Sequence, residues 1–169
     1  MPPTASKALL LALTLALALL APSTASAKEL RFPESGVPAY AIVLPDDWTT
    51  QPAADGNLLL FSANRTAVMV VLVAASTEPL DKIAQEALKL APAVPDGRKN
   101  PTEISGCEGF TWFGTIMNPK NLALNLEMSI VRVDPEHVAS ASLVLATDIT
   151  PADMTAARLV RSGLKLLKK

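Results

Sequence analysis

The sequence predicts an α+β fold: a central, mostly antiparallel sheet of about six strands, covered by two helices and preceded by a cleavable leader. Three observations carry this. Leu122–Thr147 alternates with period two on either side of Asp134-Pro135-Glu136-His137, which reads as two half-buried strands and their turn. Ala67–Ala75 (AVMVVLVAA) is apolar throughout, as a strand buried on both faces must be. Pro79–Leu90 and the segment from Thr150 to the chain end carry apolar residues at three- and four-residue steps, as amphipathic helices do. A sheet with two covered faces needs one helix on each.

Residues 1–27 read as a signal peptide. Leu9–Ala21 is an apolar run of Leu and Ala with one Thr, too short to span a bilayer; Pro22 ends it, and Ala25-Ser26-Ala27 is a small-x-small cleavage pattern. Cleavage after Ala27 leaves 28–169 as a single domain, periplasmic or secreted, with no membrane span. No cysteine stands at the cleavage point to carry a lipid. Over the whole chain 15 basic residues oppose 16 acidic ones, and losing Lys7 with the leader makes the balance one unit more negative. Such a charge gives no field for nucleic acid. The one cysteine, Cys107, precludes an internal disulfide, so stability must come from the core.

Within the domain, 28–38 is polar and reads as a loosely held lead-in. Tyr40–Leu44 is a strand stopped by Pro45. Asp46-Asp47 is a turn, and Trp48 folds back onto the core. Thr49–Gly56 is turn-rich and ends in Asp55-Gly56, a pair that favours chain reversal. Leu58–Ser62 is the next strand, with Asn64-Arg65-Thr66 in the turn after it. That triplet matches a glycosylation acceptor, which matters only on a eukaryotic secretory route; the compact Ala/Leu leader looks bacterial.

The first helix spans Pro79–Leu90, its apolar face made of Leu80, Ile83, Ala84, Ala87, Leu88 and Ala91. Ala91–Pro101 (APAVPDGRKNP) reads as a mobile surface loop. Gly106–Gly109 reads as a kink or hairpin, and Phe110–Met117 as a strand in which Gly114 marks a bulge or a close backbone approach. In the Leu122–Thr147 hairpin one face is oily and the other small and mildly polar. Ile130 next to Val131 breaks the alternation, through a bulge or through burial of both faces. Thr150-Pro151-Ala152-Asp153 is a helix start with its cap, and the apolar stripe Met154, Ala157, Val160, Leu164, Leu167 carries the helix to the chain end. The late basic residues there suit the helix dipole.

Chemistry is sparse. His137 with Asp134 and Glu136 has the residue types of a metal patch, but all three share one turn, and polar residues collect in turns for backbone reasons. Ser140 and Ser142 lie on a strand without a nucleophile elbow. Cys107 has no activating neighbour in sequence and reads as inert. Gly106 and Gly109 lack the following helix and the lysine of a phosphate clamp. Asp46, Asp47 and Asp55 lack the oxygen spacing of a calcium loop. Trp48, Phe110, Trp112 and Phe113 are core candidates. No catalytic residue, cofactor-binding residue, metal ligand or cofactor is assigned, and the chain is expected not to be an enzyme.

The run Val37–Trp48 (VPAYAIVLPDDW), the strands Leu58–Ser62 and Ala67–Ala75, a helix, a block of long antiparallel strands and a closing helix with Ser162 near its end resemble PsbP-like domains, nearest to the bacterial DcrB-like exported proteins. The resemblance implies an α/β/α three-layer sandwich and, as in a superfamily whose members mostly act by docking, a non-enzymatic role. It carries no active-site residue with it, because the matched pattern is structural. The functional expectation is a protein that docks to another protein, as an inhibitor or accessory factor. The alternative is a carrier of a small apolar ligand held between sheet and helix, in a cavity left by the many Ala and Leu side chains.

Overall fold

The computed structural model describes residues 27–53 and 56–168. The expected leader therefore lies outside the described residues, apart from Ala27. The elements run β1 (Ala27–Phe32), β2 (Ala39–Pro45), β3 (Thr49–Pro52), β4 (Leu58–Phe61), β5 (Ala67–Ala75), α1 (Leu80–Leu90), β6 (Val94–Ile104), β7 (Cys107–Met117), β8 (Ala123–Asp134), β9 (His137–Ala146), α2 (Pro151–Ser162) and β10 (Lys165–Leu167). Seven strands form one sheet in the order β3-β4-β5-β9-β8-β7-β6, and every neighbouring pair is antiparallel. The other three form a small sheet, β1-β2-β10.

The helices cover opposite faces, as a three-layer sandwich requires. Ala84 and Leu88 of α1 pack with Leu126, Met128, Ile130 and Val138. Ala157 and Val160 of α2 pack with Met69, Val71, Ala139, Ala141, Leu143 and Leu145. Side chains alternate along a strand, so these sets occupy the two sides of one sheet. The small sheet shares the α2 side, sending Tyr40, Ile42, Leu44 and Leu166 into the same core. Each fully buried side chain of this size contributes about 1.5–3 kcal/mol.

There are more strands than the expected six, and each extra one has a physical reason. Leu30 and Phe32 alternate with Glu29 and Arg31 and pack on the core, so the expected lead-in is a strand paired along its length with β2. The turn-rich 49–56 segment opens with a short edge strand before Gly56, at φ +81°, reverses the chain. The expected loop at Ala91–Pro101 is mostly β6. Its prolines survive because it is the outermost strand, and its register slips between Pro95 and Lys99. The last helix does not run to the chain end. It stops at Ser162, where Gly163 N donates to Leu159 O and Leu164 N to Arg161 O, and Leu164 and Leu166 are buried. From Leu164 to Leu166 a period-two pattern seated on β2 outcompetes the helical one.

The central hairpin also corrects the expectation of one oily face. Met128 stands opposite Ser142 and Ile130 opposite Ser140, whereas Glu127 stands opposite Leu143 and Val131 opposite Ala139. The apolar sets of β8 and β9 thus point to opposite faces. Burial of both faces explains the adjacent Ile130 and Val131; the slip in register comes later, between Arg132 and Asp134.

Candidate functional site

The two helices do not cover the same half of the sheet. α2 lies against β5 and β9, while α1, on the other side, lies against β8 and β7. Beside α1, most of this face of β5 and β9 is left without a helix above it; Val138, with Ala74 and Val144, reaches the α1 cluster. Val70, Leu72 and Ala74 are accordingly only half-buried, where Ala67–Ala75 is expected to be covered on both sides; Ser140, Ser142 and Val144 are half-buried too, as a strand with one mildly polar face should be. These residues floor a cleft of about 580 Å³ walled by Ile83, Glu86, Ala87 and Leu90 of α1. That volume falls in the range of small-molecule sites, roughly 300–1,000 Å³. The lining is mostly aliphatic, with Asn57, Ser76, Glu78, Glu86, Ser140 and Ser142 as its polar members.

The start of α1 is anchored. The Arg132 guanidinium on β8 donates to the carbonyl oxygens of Ser76 and Glu78, and Lys99 on β6 pairs with Asp81. At the far end Leu90 projects outward and is 86% exposed. A second hollow, of about 600 Å³, lies on the edge hairpin between Leu80, Pro101, Thr102, Glu103, Glu108 and Phe110. Several of its lining residues are exposed, whereas the cleft under α1 is floored by the sheet itself.

The side chains singled out for chemistry are dispersed. His137 Nδ1 lies 2.9 Å from Asp134 Oδ1 across the β8–β9 turn; this hydrogen bond, with that from Glu136 N, holds the Asp134 carboxyl below its usual range. No group of three His, Cys, Asp or Glu residues able to hold a metal occurs among the described residues. Asp46 and Asp47 are exposed in a turn. Gly106 is half of a two-residue turn with Ser105, both at positive φ, and Gly109 backs onto the Ile130 carbonyl. Cys107 is buried. Near it, burial pushes the pKa of Tyr40 up, and its hydroxyl has no partner among the described residues. Trp48 is in the core as expected. Phe110, Trp112 and Phe113 are half-buried, with Lys99 over the first two rings and Arg98 over the third.

Ser140 and Ser142 do belong to the cleft, on its floor. Sequence reading missed Glu127. It is buried under α2, accepting hydrogen bonds from Arg158 (2.8 Å) and Arg161. Burial pushes its pKa up, but the two guanidinium groups outweigh that and hold it below the usual range. The available signal was Arg158 and Arg161 one turn apart on the closing helix, facing a lone acid in a strand.

Fold and cleft define a small layered α+β protein with a hollow on one side of its sheet. The fold is PsbP-like. The chain is similar to the solution structure of the cyanobacterial PsbP (CyanoP) of Synechocystis, with a TM-score of 0.62, 11% identity, and coverage of 87% of this chain and 96% of that one. It is also similar to LpqN of Mycobacterium tuberculosis, a protein involved in cell envelope biogenesis, with a TM-score of 0.57, 14% identity, and coverage of 83% and 90%. At these identities the likeness is one of fold. No family model matches the sequence, and no curated protein matches it. No helix among the described residues is long and apolar enough to cross a membrane.

Proposed function

We propose that the leader 1–27 is removed on export and that the remaining domain is a non-enzymatic binding protein in the periplasm or outside the cell, holding a small apolar ligand between α1 and the sheet. One observation carries this reading: the uncovered aliphatic floor of β5 and β9 beside α1. A sheet face of this composition is normally closed by packing, and leaving it open sacrifices burial that a ligand restores. The test is native mass spectrometry of the chain purified from its own cell envelope fraction, beside an Ala87→Trp variant that plugs the cleft. A small apolar adduct on the wild type and none on the variant is the expected result. Bare polypeptide in both samples overturns the reading.

Docking to another protein is the second reading. The sheet edges do not favour it: β3 is four residues long and ends in proline, and β6 carries prolines, a register slip and the charges of Arg98 and Lys99. What favours it is a group of exposed apolar side chains, Leu90, Val94, Met117 and Leu122, at the end of the sheet where α1 finishes. Replacing Val94, Met117 and Leu122, none of which lines the cleft, with glutamate is expected to abolish co-purification with an envelope partner without changing ligand content. Unchanged co-purification removes this reading.

A further inference from the structure

We infer that Ser140 and Ser142 are the polar anchor of the cleft, and that its ligand is an uncharged linear amphiphile: an acyl chain ending in an ester or amide and a hydroxyl-bearing headgroup. The inference rests on the cleft being a ligand site and adds the chemistry of what fills it.

Ser140 lies on the cleft floor between Leu72 of β5 and Ile130 of β8, and Ser142 between Val70 and Met128. Each hydroxyl is therefore set into an aliphatic surface. Both residues are half-buried, and neither side chain has a hydrogen-bond partner among the described residues. An inner strand favours β-branched and aromatic residues at such positions, and a hydroxyl that a ligand covers without pairing it costs about 1–3 kcal/mol. Two serines in succession on the same face are a poor choice for packing and a good one for meeting a polar group. Each offers one donor and two acceptor lone pairs.

Spacing and charge narrow the ligand. Residues two apart on a strand stand about 7 Å from each other. That separation suits two polar functions a few bonds apart, such as an ester carbonyl and a headgroup hydroxyl. The lining includes two carboxylates, Glu78 and Glu86, and no Lys, Arg or His. Lys82 pairs with Glu78 and also lies near Glu86, so the lining has no cation of its own to receive an anion. A ligand carboxylate or phosphate would lose its water with no cation in the lining to replace it; a neutral headgroup would not. The floor runs from Val70 on β5 to Ser76 just past its end, about 20 Å, long enough for an extended chain.

The experiment uses the leader-free protein and measures displacement of Nile red, a neutral apolar dye, by monopalmitoylglycerol and by palmitate. Monopalmitoylglycerol is expected to bind at least about tenfold tighter than palmitate. A Ser140→Ala/Ser142→Ala variant is expected to lose about tenfold of that affinity, the worth of two neutral hydrogen bonds, while its circular dichroism stays that of the wild type. A Ser140→Thr/Ser142→Thr variant, which keeps both hydroxyls, is expected to retain the preference. Equal binding of the two lipids, or an alanine variant that binds monopalmitoylglycerol like wild type, overturns the inference and leaves the cleft reading intact. Failure of the wild type to bind the dye or either lipid overturns both.

Discussion

Glu127 of β8 accepts a hydrogen bond from Arg158 of α2 at 2.8 Å, and Arg161 of the same helix binds its other carboxylate oxygen. One acid on the sheet thus fastens the helix that closes the α2 side. The Glu127 side chain is 9% exposed, that of Arg161 26% and that of Arg158 52%, so the pair with Arg158 is partly screened.

Removing the Glu127 charge is expected to cost about 2 kcal/mol, below the full price of breaking a buried pair because Arg158 is half in solvent. The effect depends on pH. The carboxyl is held below its unfolded value, so its contribution is complete above about pH 5 and is lost as pH falls through the folded value. Urea titrations of wild type and Glu127→Gln should differ at pH 7 and converge as the pH drops below about 4.

Gly109 and Gly114 on β7 are both in tight quarters, with different consequences. A Cβ at Gly109 would overlap the Ile130 carbonyl oxygen of β8, an inner strand that cannot yield. At Gly114 it would come 2.7 Å from the Val94 carbonyl oxygen of β6, an edge strand that can. Gly109→Ala is expected to cost about 3 kcal/mol or more and Gly114→Ala about 1–2 kcal/mol. Equal losses in thermal unfolding would contradict this ordering.

Arg132 secures the approach to α1 through two backbone carbonyls. Arg132→Met removes two charge-assisted bonds without opening the α2 core. Amide hydrogen exchange across 76–90 should accelerate by roughly tenfold or more, while the β5–β9 amides keep their protection. Uniform acceleration would show that Arg132 supports the whole fold.

Cys107 is 2% exposed. Thiol chemistry requires access, so Ellman's reagent should leave the native protein unmodified for hours and titrate one thiol once denaturant is added. Rapid native reaction would show that the β6–β7 end opens.

The hairpin at Asp134–His137, the central place of Ala67–Ala75, the Thr150 cap and the opposed helices were legible because each rests on local pattern: alternation, an unbroken apolar run, a capping residue followed by proline. Gly114 was legible as a close approach for the same reason. The strand at Ala91–Pro101 was not, because prolines signal a break and only the neighbouring β7 shows that this one is an edge. The end of α2 was misread because Leu164 and Leu167 fit a helical stripe as well as a strand; Gly163 was the overlooked signal. A cavity between sheet and helix was foreseen as an alternative. Its floor was not, since which of β9's alternating sets faces α1 depends on a register no single strand reveals. Glu127 stayed hidden because its partners come from an element more than thirty residues away.

The placement of β1 and β10 on either side of β2 has a mechanical consequence. Both are antiparallel to β2: β1 starts opposite Pro45, and β10 finishes opposite Ala39. Tension applied to the two termini would drag the flanking strands in opposite directions along β2, loading their bridging bonds together in shear instead of peeling them apart one by one. In a single-molecule pulling experiment this small sheet would act as a clamp at the point where the load enters, yielding only at high force.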